Sequence, residues 1–188
     1  TTLARGDDPY DDRYEGEDRW TEQPVSRYRE TIGDHTFEVF HDVELPRRGC
    51  VPDGTITSGG VQAADPHERG HGPLKAGESI ILDIFPVDQA TRYYADMTRT
   101  LVKGEPGEEL QKMYDAVLES QEAAHAMIGP GGYGRDVHGK VSEILHERGY
   151  KTLQHDQKPG EPLMEGFIHG TGHGVGLEVH EAPRISTA

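Results

Sequence analysis

Apolar residues along this chain recur at two spacings, and each predicts a kind of element. Leu110, Met113, Tyr114, Val117, Leu118, Ala124, Met127 and Ile128 recur at helical spacing and form one apolar stripe. Glu108 and Glu109 stand where the helix dipole favours acids, and Gly129-Pro130-Gly131-Gly132 stops the helix. A second helix runs from about Asp136 to Gly149, burying Val137, Val141, Ile144 and Leu145. Ser79 to Val87, with Ile80, Ile81, Leu82, Ile84 and Phe85, reads as the strongest strand, and Tyr93 to Val102 as a second. The short link Asp88 to Arg92 pairs them as an antiparallel hairpin. A short strand around Thr55-Ile56-Thr57 sits between the breakers Pro52-Asp53-Gly54 and Ser58-Gly59-Gly60. Phe37, Val39 and Val43 face inward from a strand or short helix, residues 151–165 form a polar loop, and Phe167 to His180 is strand-like. The order implies an α/β fold of the α+β type, a mixed or antiparallel sheet layered with helices.

Residues 1–30 break this patterning. Asp7, Asp8, Asp11, Asp12, Glu15, Glu17 and Asp18 crowd them, and Tyr10, Tyr14 and Trp20 recur without period. Such a stretch cannot bury enough apolar area to offset its ordering entropy, so it is expected to be a flexible acidic arm ahead of a domain over 31–188.

Charge then narrows the partners. With 34 Asp+Glu against 19 Lys+Arg, the 188 residues carry a formal net charge of −15. Such a surface repels phosphate backbones and anionic headgroups, so neither nucleic acid nor a membrane is expected as partner. No apolar run reaches the ~20 residues of a spanning helix, and the first residues lack a signal-peptide core. A single cysteine, Cys50, precludes an internal disulfide and fits the cytoplasm; it reads as a small buried residue. Hydrophobic residues make up 33%, thin for a full core.

Two carboxylates interrupt the strands. Asp83 lies inside Ile80-Ile81-Leu82-Asp83-Ile84-Phe85, where an ionised group is costly unless compensated, and Asp96 lies in Tyr94-Ala95-Asp96-Met97. Facing one another across a hairpin, they would need a shared proton or a cation, and paired Asp oxygens suit divalent metals. For either Asp alone, an ion pair to Arg92 or Arg99 explains it as well. The tail adds His169-Gly170-Thr171-Gly172-His173-Gly174-Val175-Gly176-Leu177-Glu178-Val179-His180, three His among four Gly, which packing does not explain. His169 and His173 have the spacing of a helical zinc pair, but the glycines argue against a helix, and no Glu follows His169 as in zincins. The glycines do not match the dinucleotide fingerprint either; they let backbone approach a ligand closely.

Together, His67, Ile81-Leu82-Asp83, Ala95-Asp96-Met97-Thr98-Arg99-Thr100 and the His169–Glu181 stretch resemble the pita-bread metallopeptidases (M24), the Xaa-Pro aminopeptidase and prolidase branch above all. The resemblance covers roughly Arg47 to the end of the chain. It implies a pita-bread fold, incomplete at the C-terminus, and two divalent metal ions, Mn²⁺ first with Co²⁺ or Zn²⁺ as alternatives. By resemblance, Asp83 chelates one metal, Asp96 bridges both and His173 binds the other. His67, His169 and His180 would contact substrate, with His71 a rival to His67. In the family two further Glu ligands follow the last His on later strands; Glu178 and Glu181 do not sit where they belong.

The activity implied is hydrolysis of the N-terminal Xaa-Pro bond by metal-bridged hydroxide attack. The substrate would be a peptide with proline at its second position, and a homodimer is left open. His180 would stabilise the developing oxygen charge, His67 would contact the leaving nitrogen, and His169 would line the pocket for the proline. The 188 residues alone are expected to bind metal weakly and to be inactive. Competing readings are a decayed pita-bread binding protein, methionine aminopeptidase and a creatinase-like hydrolase. The remaining His (His35, His41, His125, His138, His146, His155) read as solvated or hydrogen-bonded side chains off the apolar stripes.

Overall fold

The computed structural model describes residues 28–32, 35–39 and 45–187, the first two segments as backbone. Of the expected acidic arm, residues 1–27 lie outside the described residues, as do His41 and Val43, while Tyr28, Arg29 and Glu30 open a strand. The chain divides into two compact units, with Pro106 closing the first and Gly107 opening the second.

The first unit is antiparallel sheet. Strands β1 (Tyr28–Ile32) and β2 (His35–Val39) pair with each other, and β3 (Cys50–Val51) pairs with β6 (Val87–Asp88). The main sheet has the order β4 (Ile56–Gly59), β5 (Ser79–Ile84), β7 (Met97–Val102), antiparallel throughout. Ile80 is buried against Leu74 and packs on Leu101, its cross-strand partner. The breaker expected at Ser58-Gly59 is instead the end of β4: Gly59 pairs with Ile80, because a Cβ there would stand 2.6 Å from Leu74 Cδ2.

The β5–β7 pairing is antiparallel as expected, and the short link Asp88 to Arg92 joins it: the same register runs on past the two strands, with Val87 opposite Tyr94. Pro86 has no N–H to continue the ladder, and its carbonyl accepts from Ala95 N at 2.9 Å. Val87 then bridges to Tyr94, and Asp88 N donates to Tyr93 O at 2.9 Å, which closes a small hairpin. Asp88 Oδ1 accepts from Ala90 N at 3.1 Å, Thr91 N at 2.7 Å and Thr91 Oγ1 at 2.7 Å. Those Thr91 donors hold the Asp88 carboxyl below the usual carboxylate range. Cys50 is half-buried in β3 rather than enclosed.

The second unit has three helices, α1 (Glu108–Met127), α2 (Gly134–Glu147) and the short α3 (Leu153–Asp156), and one strand pair, β8 (Gly172–Gly174) with β9 (Glu181–Ile185). Helix α1 does not bury the stripe its large residues suggest. Ala116, Ser120 and Ala124 form the buried face, whereas Met113, Val117, Met127 and Ile128 are exposed. Small side chains at four-residue spacing let α1 and α2 approach closely, and Ser120 Oγ satisfies itself on Ala116 O at 2.8 Å. Ala116, Ala124, Val137, Val141 and Leu145 make the core, with Tyr150, Phe167 and Ile185 packed on it. The loop expected at 151–165 contains α3, capped by Thr152, whose side chain accepts from His155 N. The strand expected over Phe167–His180 is only β8, followed by a tight turn into β9, because the glycine run bends the chain back on itself.

Candidate metal centre

Asp83 sits in the central strand of its sheet, between cross-strand partners Ile56 and Thr98. Residues opposite each other in an antiparallel ladder point to the same face. Thr98 Oγ1 donates to Asp83 Oδ1 at 2.6 Å, which fixes the half-buried carboxylate and leaves its other oxygen for a cation. Arg99 Nη1 donates to Thr98 O at 3.0 Å. Asp96 precedes β7 by one residue. Extending the register by one pair sets it opposite Phe85, on the face that Asp83 and Thr98 share. Diagonal neighbours of this kind stand about 7–8 Å apart at Cα, so their longer side chains can converge on ions above the sheet. The hairpin keeps one register from Asp83 and Thr98 to Val87 and Tyr94, which brings Asp96 to that position despite a sequence separation of 13 residues.

His67 lies in the same unit, on the loop that follows Gly60–Ala64, and is exposed. Its N–H donates to Asp65 Oδ1 at 2.9 Å. His71 is held more firmly: Gln62 donates Nε2 to His71 O at 2.8 Å and accepts His71 N at 2.9 Å. Its ring stands 3.4 Å from Glu68 Oε1. Gly70 turns this loop against β4, with Thr57 N donating to Arg69 O at 3.1 Å.

The second unit holds the histidines of the glycine run. His173 is half-buried in β8, and its Nδ1 lies 3.0 Å from Gly174 O. A carbonyl only accepts, so Nδ1 carries a proton, and Nε2 is the ring atom that could ligate a metal. His169 shows the same arrangement, with Nδ1 2.9 Å from Gly170 O. His180 meets His173 edge to face, ring centroids 4.3 Å apart at 83°. His169 packs instead on Phe167, 5.1 Å apart at 76°. The turn before His180 is built by Glu181, whose Oε1 accepts Glu178 N at 2.9 Å. A Cβ at Gly176 would meet the Glu181 carboxylate at 2.3 Å, so that side chain would have to move. Glu181 is therefore committed to the turn.

Each unit holds donors suited to a divalent ion: in the first, the Asp83 carboxylate pre-set by a hydroxyl, and in the second, an imidazole whose Nδ1 proton is held by a carbonyl. Sequence reasoning missed His138. It lies off the apolar stripe yet is 4% exposed, with Nδ1 2.9 Å from Thr171 Oγ1. The signal was its spacing to Ser142 and Leu145, which share its buried face but are not all apolar.

The chain is 35% identical over 133 residues to an Xaa-Pro dipeptidase of Pyrococcus furiosus, covering 70% of this chain and 34% of that one. It is 35% identical over 147 residues to Xaa-Pro aminopeptidase 1 of Streptomyces coelicolor, covering 71% and 30%. The chain thus spans about a third of the length of these curated relatives. Among solved structures, prolidase from Pyrococcus furiosus superposes with TM-score 0.62 at 34% identity, covering 72% of this chain and 36% of that one. An Xaa-Pro dipeptidase from Bacillus anthracis gives 0.63 at 29%, covering 76% and 37%. The mixed helix and antiparallel sheet is the pita-bread fold of these enzymes. Residues 33–188 match metallopeptidase family M24, and the chain belongs to that family.

Proposed function

We propose that the protein carrying this chain is a metal-dependent exopeptidase that removes the residue ahead of a proline at the N-terminus of a peptide. The observation that carries this reading is the placement of Asp83 and Asp96 on one sheet face, with Thr98 bonded to the first. Two like charges there call for a cation, and the relatives' names supply the class of reaction.

In this reading Asp83, Asp96 and His173 hold two divalent ions, Mn²⁺ foremost. When bound, the ions supply a Lewis acid for the peptide carbonyl and a hydroxide available near neutral pH. The protein's own part is orientation and charge. Thr98 holds one Asp83 oxygen so that the other is presented without reorganisation. Gly174 O keeps the His173 proton on Nδ1. His180, set by the Glu181 turn, donates to the oxygen on which charge develops, and His67 contacts the departing nitrogen. His169, edge-on to Phe167, forms an apolar-flanked wall for the proline ring.

The test is hydrolysis by metal-stripped protein refilled with Mn²⁺, on a peptide with proline second and on its alanine counterpart. Release of the first residue from the proline peptide, at least about tenfold faster than from the alanine peptide, is expected. Equal rates would remove the specificity, and no cleavage with Mn²⁺, Co²⁺ or Zn²⁺ would remove the peptidase.

A further inference from the structure

His138 is a buried histidine outside the glycine run, on α2, and its ring is hydrogen-bonded to a side chain in the middle of that run. Thr171 stands two residues from His169 and two from His173. Its hydroxyl is 2.9 Å from His138 Nδ1, and its N–H donates to Ile185 O at 2.8 Å. The His138 ring also stacks obliquely on Phe167, centroids 5.3 Å apart at 35°, and Phe167 in turn meets His169 edge-on. Helix α2 is itself seated on β9, since a Cβ at Gly134 would stand 2.4 Å from Arg184 O. One rigid element thus touches the loop at Thr171 and at the ring flanking His169.

The glycines at 170, 172 and 174 give this stretch wide backbone freedom, which pairing with β9 restrains from one side. The Thr171 side chain carries a second restraint, supplied by α2. We propose that His138 is a positioning residue, which through Thr171 and Phe167 fixes the loop so that the Nδ1 protons of His169 and His173 stay on Gly170 O and Gly174 O. Burial, and then the charge of His169, lower the His138 pKa, so the ring is neutral and can meet the hydroxyl as donor or acceptor. The inference deepens the peptidase reading, on which the importance of His169 and His173 rests.

The experiment reads the tautomers directly, by long-range ¹H–¹⁵N correlation of the histidine rings in the whole chain. Wild type is expected to show His169 and His173 protonated on Nδ1. His138→Leu and Thr171→Val are each expected to lose that signature, with both nitrogens moving to averaged shifts. His138→Asn, whose amide stands about where Nδ1 stood, restores it. If His138→Leu does not fold, Thr171→Val, which removes only the hydroxyl, decides. Tautomers unchanged in Thr171→Val, or no restoration in a folded His138→Asn, would overturn the proposal. Failure of the peptidase reading would look different: no Xaa-Pro cleavage by the whole protein that carries this chain, with the tautomers as described.

Discussion

Thr98 Oγ1 lies 2.6 Å from Asp83 Oδ1, directly across the β5–β7 ladder from it. A hydroxyl that bonds one carboxylate oxygen orients the other, and removing such a partner weakens a metal site without touching a ligand. Thr98→Val is therefore expected to lower Mn²⁺ affinity about 10–100-fold, by calorimetric titration, while Thr98→Ser keeps it. Equal affinity in Thr98→Val would show that the hydroxyl does not orient the carboxylate.

Gly70 and Gly72 both have positive φ, at 88° and 74°, but only one is crowded. A Cβ at Gly70 would stand 1.9 Å from Thr57 O, whereas nothing lies within 4 Å of one at Gly72. Gly72→Ala is expected to cost only the left-handed strain, about 1–2 kcal/mol. Gly70→Ala must also part Thr57 from Arg69, for about 3 kcal/mol or more in all. Urea denaturation of both variants checks the order, and equal costs would contradict the close approach.

Burial lowers the pKa of His138 below its ordinary 6.5. The unfolded chain therefore takes up this proton first as pH falls. His138 lowers stability as pH drops from about 6.5 to the folded-state pKa, and adds no further pH dependence above or below that window. His138→Asn is expected to flatten that part of the curve, measured by denaturation between pH 8 and 5. The same slope in the variant would mean that the ring is not held neutral by burial.

The carboxylate side was legible because a strand has period two. An acid inside Ile80–Phe85 breaks an apolar run conspicuously, and antiparallel pairing then fixes which residues share its face. The turn at Asp88 to Arg92 was legible as well, but nothing local says that Val87 and Asp88 will also pair with Cys50 and Val51. Helix α1 misleads in a different way. Its large residues define a stripe, yet its closest packing is through Ala116, Ser120 and Ala124, since close helix approach rewards small side chains. His138 escaped because hydrophobic periodicity counts a buried, hydrogen-bonded histidine as polar. The motif histidines could be named from their spacing, but not their tautomers, which depend on carbonyls that the glycine turns bring round.

The proposed chemistry depends first on Asp83, Asp96 and His173 holding metal. Calorimetric titration of metal-free protein with Mn²⁺ measures this in wild type, Asp83→Asn, Asp96→Asn and His173→Asn, with Asp115→Asn as an exposed acid elsewhere. Saturable uptake by wild type and by Asp115→Asn is predicted, weakened at least about tenfold in each of the other three. Coincident isotherms for all five proteins would contradict it.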